Sequence, residues 1–318
     1  MCIKDAYKPE LLNKAAVYFE DEAAIELSYQ LFSLGIKINP GFTTHHNLGV
    51  YLLEYFPYHH LWGKRYWEDR LFVGLRVEYH LKKALSYRRE RWETWIALGN
   101  IEFRKRKYSS ALNMYEEAGK YTEDGYPKWK EGNCRWALKE FDKAEKAFLD
   151  AYNGFKTCED KIEAICAVIT CNIKLGKTNE QIETQYGQIL KNTVDELIRA
   201  LENEDNDIVG QLLWYGCTKL LPILHLIGKV DCLSLLCNTI EKLDSYDTFI
   251  MDGDLEIMKR VLEGIREGPA CDSRIEKQLF MLYPCDHVVR KLYVVEEDNN
   301  LDKCFISKKR EKANESLV

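Results

Sequence analysis

The sequence predicts an all-α fold, an α-solenoid of stacked antiparallel helix pairs, on three observations. First, seven positions recur in register 33 residues apart. Gly99, Asn100, Phe103, Tyr108, Ala111, Tyr115 and Ala118 return as Gly132, Asn133, Trp136, Phe141, Ala144, Phe148 and Ala151. Self-similarity at that period marks an array of supersecondary units rather than one compact core. Second, apolar residues keep returning at helical spacing from the region of Pro9 to Arg266, with no sustained period of two. Third, the recurring glycine and alanine positions stand where paired helices must approach closely, with large aromatics between them to fill the wedge. A composition of 46% hydrophobic and 12% aromatic residues excludes a globally disordered chain.

In chain order, residues 1–158 form the array. Its first repeat, near 9–41, rests on Ala15, Ala16, Phe19, Ser28, Phe32 and Gly35 and closes at Ile38-Asn39-Pro40. The second, 42–91, opens at Asn47-Leu48-Gly49. Gly49 lies 50 residues before Gly99 rather than 33, which locates an insertion at 56–72. That insertion carries Pro57, Trp62, Gly63, Tyr66 and Trp67, and is expected to be a side loop near one mouth of a groove. Repeats three and four, 92–124 and 125–158, carry the strong pattern.

Residues 159–268 read as degenerate repeats capping the array. Helices are expected at Ile162 to Leu175 and Glu180 to Leu201, hinged at Leu175-Gly176-Lys177, with Gln181, Gln185 and Gln188 in the second. Further helices are expected at Asp207 to Ile227 and Val230 to Leu243, joined at Gly228-Lys229, and at Asp254 to Arg266 before Gly268-Pro269. The extension 269–318 differs. His287 to Val295 and Cys304 to Ile306, around Asp298-Asn299-Asn300, predict a short β-hairpin near the C-terminus, followed by a polar, frayed tail.

Trp95, Leu98 and Gly99, then Ala111 and Tyr115, and again Gly132, Ala144 and Phe148 resemble the tetratricopeptide repeat, W-x2-L-G-x2-Y followed by A-x3-F. The match departs at Glu102, where tyrosine is expected, and at Glu131, where leucine is. The resemblance implies a concave groove lined by the first helix of each pair. By position that groove takes His46, Asn47 and Val50 from one repeat, Ile96, Asn100, Phe103 and Arg104 from the next, and Trp129, Lys130, Asn133 and Trp136 from the third. Ile96, Asn100, Phe103 and Arg104 stand at i, i+4, i+7 and i+8 and so share one helix face. Asn100 and Asn133 occupy the same repeat position, and an asparagine amide can bond both the N–H and the C=O of an extended backbone. The implied function is a non-enzymatic scaffold or adaptor that binds a protein or peptide. Recognition of a chaperone-tail carboxylate is not implied, because Ile96 stands where that clamp has lysine and Lys130 where it has asparagine.

The remaining chemistry narrows the field. No GxGxxG, GxxxxGK[ST] or GxSxG occurs, so no catalytic residue and no cofactor is expected. His45-His46 and His59-His60 are adjacent pairs, which point about 100° apart on a helix and do not form a metal site by themselves. The eleven cysteines include no CxxC and read as reduced, packed thiols. No apolar run approaches the roughly 20 residues of a membrane span, and none follows Lys4 as in a secretory leader, so a cytoplasmic location is the expectation. The net charge is -6, yet Lys64 to Lys107 holds thirteen Lys and Arg against six Asp and Glu. With Tyr66, Trp67, Tyr79, Tyr87, Trp92 and Trp95 interleaved, this stretch carries the alternative function, RNA or single-stranded nucleic-acid binding.

Overall fold

The computed structural model describes residues 12, 14–18, 25–55, 66–203, 206–243 and 292. Residues 56–65 of the insertion, the expected helix 254–266, the expected hairpin apart from Leu292, and the tail lie outside the described residues. The helices are α1 (Ile25–Ile38), α2 (Phe42–Tyr55), α3 (Tyr66–Tyr87), α4 (Trp92–Arg104), α5 (Tyr108–Gly119) and α6 (Tyr126–Ala137). They continue with α7 (Phe141–Gly154), α8 (Cys158–Lys174), α9 (Asn179–Asn203), α10 (Asn206–Tyr215), a π-helical segment (Gly216–Leu220), α11 (Leu221–Leu226) and α12 (Val230–Leu243). No strand occurs among the described residues.

The chain divides into two compact units within α4. Described residues through Ala97, together with Leu292, form the first, and those from Leu98 onward form the second. In the first, α1 packs on α2 and α2 on α3. Phe32 and Tyr51, both buried, meet at 5.4 Å between ring centroids and are joined by Ala16 and Leu48. Gly49 lets α2 close onto α3, since a Cβ there would lie 2.7 Å from Leu81 Cδ2. The side loop expected over 56–72 is corrected in its last part, because α3 already begins at Tyr66. Pro57 and Gly63 are the last helix breakers of that insertion, and from Tyr66 nothing interrupts helical geometry before Gly74.

In the second unit the 33-residue repeat is expressed in geometry. A Cβ on Gly99 would lie 2.3 Å from the Tyr115 ring, and one on Gly132 would lie 2.4 Å from the Phe148 ring. Ala111, Ala118, Ala144 and Ala151 are fully buried beside those rings. Phe103 meets Tyr108 edge-on at 5.2 Å, and Trp136 meets Phe141 in the same way at 4.9 Å. Both first helices also end alike. Arg106 N–H bonds the Phe103 carbonyl and Lys107 N–H the Glu102 carbonyl, and Lys139 and Glu140 repeat this on Trp136 and Arg135. This Schellman closure satisfies the last carbonyls but places Arg106 and Lys139 in the left-handed region, at φ 59° and 62°. α8 and α11 close with the same two bonds, there with Gly176 and Gly228 at the left-handed position.

Downstream, α7, α8 and α9 pack in succession. α8 starts at Thr157, whose hydroxyl accepts the Asp160 N–H, with Glu159 and Asp160 in the first turn complementing the helix dipole. The single helix expected over Asp207 to Ile227 is corrected to α10, the π segment and α11. The cause is Pro222, which has no N–H for the Thr218 carbonyl and whose ring would crowd it. The ladder instead slips to i→i−5, with Leu221 N–H bonding the Gly216 carbonyl. This widened turn sets Lys219 in the core 3.4 Å from Glu163, both side chains 1% exposed, with the ammonium 5.7 Å from the Trp214 ring centre. The buried thiols of Cys166, Cys171 and Cys217 behave as apolar filler: burial raises their pKa, which makes them poor nucleophiles.

Candidate functional site

The predicted groove residues fall into three groups. On α4, within the second unit, Asn100 and Phe103 are half-buried and Arg104 is exposed at the helix end. On α6, Trp129, Lys130, Asn133 and Trp136 are all buried. In the first unit, His46, Asn47 and Val50 are fully buried, as is Ile96, while Trp95 is half-exposed and donates its indole N–H to the Arg89 carbonyl at 2.8 Å. Ile96, expected on the groove face of α4, therefore lies in the core. Ile96 fills the core without a polar atom to satisfy, whereas Trp95 keeps its N–H at the surface.

His46 is wired into the first unit. A carbonyl oxygen only accepts, so Nε2 carries the proton and donates to the Leu292 carbonyl at 2.6 Å. Nδ1 then accepts from the Thr94 hydroxyl at 2.9 Å. Burial pulls the imidazole pKa down to about 4, with Arg91 pulling the same way and the Leu292 bond opposing. The ring is neutral at neutral pH. His45 is buried, 6.0 Å from the Tyr87 ring centre.

The two repeat asparagines differ. Asn100 Oδ1 accepts the Tyr115 hydroxyl at 2.8 Å. The residue equivalent to Tyr115 is Phe148, which has no hydroxyl, and Asn133 Oδ1 is buried without a hydrogen-bond partner. One turn earlier on α6, the Trp129 indole N–H is also buried and unpartnered, although its ring is held 4.9 Å from Phe148 and 6.4 Å from Phe155. α6 thus carries one unsatisfied donor and one unsatisfied acceptor at i and i+4, which is the complement of a peptide group. The signal for this site was in the aligned repeats, as the Tyr115 to Phe148 difference.

Its neighbours on α6 are fixed. Lys130 holds its ammonium 5.1 Å from the Tyr126 ring centre. Burial would raise the Glu131 carboxyl, but hydrogen bonds from Lys128 and Arg135 at 2.7 and 2.8 Å outweigh it and hold the group below its ordinary range. Arg135 also reaches Glu116 and Glu140. The pairs with Glu131 lie within α6, and the Arg135–Glu116 pair ties α6 to α5.

The basic aromatic stretch is partly spent on its own chain. Arg88 and Arg91 stand 5.5 and 5.4 Å from the Phe42 ring centre, Arg89 stands 5.9 Å from Trp95, and Lys82 bonds Glu78. Among the described residues no group of three or more His, Cys, Asp or Glu side chains is placed to hold a metal ion. Among them, too, no helix is long and apolar enough to cross a membrane. No protein-family model matches the chain, and no match to it is found among the curated proteins.

Proposed function

We propose that this chain is a non-enzymatic helical-repeat scaffold, similar to tetratricopeptide proteins and working in the cytoplasm, that binds an extended segment of a partner protein. The observation that carries the reading is the unpartnered pair on α6. A buried amide oxygen without a donor costs on the order of 1–3 kcal/mol, and a bound backbone offers the missing groups: its N–H to Asn133 Oδ1 and its C=O to the Trp129 indole N–H. Backbone reading gives affinity with little dependence on the partner's side chains, as suits an adaptor. In this reading Phe103 and Arg104 on α4 belong to the groove face of the preceding repeat. The placement of Arg89 over Trp95 and of Lys83 over Tyr87 favours this reading over the nucleic-acid one, since aromatic faces of the stretch that already carry a cation are less open to stacking bases.

The test is selection of unstructured peptides from a display library on the intact chain, followed by calorimetry with Asn133→Ala. Loss of one buried backbone bond predicts weakening by about 5- to 150-fold, the equivalent of ~1–3 kcal/mol, with an unchanged circular dichroism spectrum. Selected peptides that bind Asn133→Ala as tightly as the wild type would refute the assignment. Binding of single-stranded RNA that falls steeply with salt, in the absence of peptide binding, would replace it with the alternative.

A further inference from the structure

The first unit contains a cavity that the peptide reading does not use. It has a volume of about 720 Å³ and lies among α1, α2 and α3, inside the range, on the order of 300–1,000 Å³, typical of small-ligand sites. Leu34, Ile36, Leu48 and Leu52 give it an apolar wall, while Lys37, Arg76 and His80 stand in its lining. Among the described residues no carboxylate lines it. Among the described residues neither Lys37 nor Arg76 meets an acidic side chain, whereas Lys82, Lys105, Lys120, Lys128 and Lys161 each do.

The third polar group is held in place from behind. His80 Nδ1 lies 2.9 Å from His45 Nδ1, so one ring donates to the other, and Tyr79 flanks both rings edge-on. In the tautomer in which His45 donates, His80 carries its proton on Nε2 and has a neutral donor left to offer. Two cations that meet no carboxylate among the described residues, with a histidine beside an apolar wall, complement a single chemical class: a ligand with one anionic head and a hydrocarbon body.

From this arrangement we infer that the cavity binds an alkyl-chain monocarboxylate, its head at Arg76, Lys37 and His80 and its chain against Leu34, Ile36, Leu48 and Leu52. The site belongs to the first unit and is independent of the α6 site. A carboxylate accepts bidentate hydrogen bonds from a guanidinium, which favours Arg76 as the main head-group contact. The hydrocarbon accounts for the size and lining of the cavity, because apolar wall left facing water is unfavourable in proportion to its area.

Calorimetric titration of the full chain with hexanoate, octanoate, decanoate and decanol tests this, using Arg76→Glu and Lys37→Glu, both at exposed positions. The expected result is one saturable site per chain. Affinity rises about fourfold per added methylene, the equivalent of ~0.8 kcal/mol, and decanol binds at least tenfold more weakly than decanoate. Arg76→Glu removes most of the preference for decanoate over decanol while leaving decanol binding unchanged, which also shows that the variant is folded; Lys37→Glu removes a smaller part. Absence of saturable decanoate binding overturns the inference. So does equal binding of decanoate and decanol, or a preference that both charge-reversal variants retain.

Discussion

Gly132→Ala isolates the contact on which the repeat geometry depends. A Cβ at this position would lie 2.4 Å from Phe148 Cε1 and 2.5 Å from Cδ1, where ordinary contact begins near 3.4 Å, so the ring must retreat by about 1 Å. It has little room to do so, being fully buried with Trp129 4.9 Å away. Overpacking of this kind costs about 1–3 kcal/mol, and a fully enclosed ring belongs at the upper end. Against this, alanine gains ~1 kcal/mol of helix propensity over glycine. The net expectation is destabilisation by about 2 kcal/mol, read as a lowered urea midpoint with unchanged slope in far-ultraviolet circular dichroism. Gly119→Ala is the matched control, because its Cβ would meet nothing closer than Pro127 Cβ at 3.9 Å. It carries the propensity gain alone and should raise stability by up to ~1 kcal/mol. If Gly132→Ala proves as stable as Gly119→Ala, close helix approach is not what the recurring glycine provides, and the packing account of the repeat is wrong.

Three further outcomes are expected. Arg106→Gly and Lys139→Gly relieve left-handed residues at φ 59° and 62°; each should stabilise by about 0.5–1 kcal/mol after the entropy of glycine is subtracted, and urea titration of the single and double variants measures it. Lys219→Met strands Glu163 in the core and should cost about 3–5 kcal/mol, whereas Lys219→Met with Glu163→Leu should recover most of that; a double variant no more stable than the single would contradict it. His46 has a folded pKa near 4 against 6.5 unfolded. The unfolded chain therefore binds the extra proton first, and the contribution is complete above about pH 6.5 and lost as pH falls toward 4, by about 2 kcal/mol between pH 7 and 5. His46→Gln should flatten that part of the stability profile.

The helix-pair pattern of 92–158 was legible because its signal is steric: a glycine, two alanines and a large aromatic at fixed offsets describe a close crossing and what fills it. The ends of α8 and α11 were legible for a different reason, since Gly176 and Gly228 mark left-handed closures in plain sight. The same closure at Arg106 and Lys139 was not, because neither residue type advertises a positive φ and only the hydrogen bonds disclose it. The π segment depended on what Pro222 does to the carbonyl four residues back, a local rule that the apolar periodicity of Asp207 to Ile227 conceals. The site was half legible. Asn100 and Asn133 were identified as equivalent, but equivalence hid the difference that matters, since Tyr115 satisfies the first and Phe148 cannot satisfy the second. Which of the groove-face side chains are buried could not be read from position alone, because Ile96, Trp129 and His46 owe their burial to partners distant in the chain or on other helices.

The unpartnered oxygen of Asn133 is the centre of the account, and Phe148→Tyr tests it most directly. By the repeat geometry the added hydroxyl should reach Asn133 Oδ1 as Tyr115 reaches Asn100 at 2.8 Å, supplying in cis the hydrogen bond that a partner's backbone is proposed to supply. The measurement is the calorimetric dissociation constant of a display-selected peptide for wild type and Phe148→Tyr, with thermal stability recorded in parallel. The account predicts a folded variant, stabilised by about 1 kcal/mol through the new hydrogen bond, that binds the peptide at least fivefold more weakly. A variant stabilised in this way that binds the peptide with undiminished affinity would contradict it.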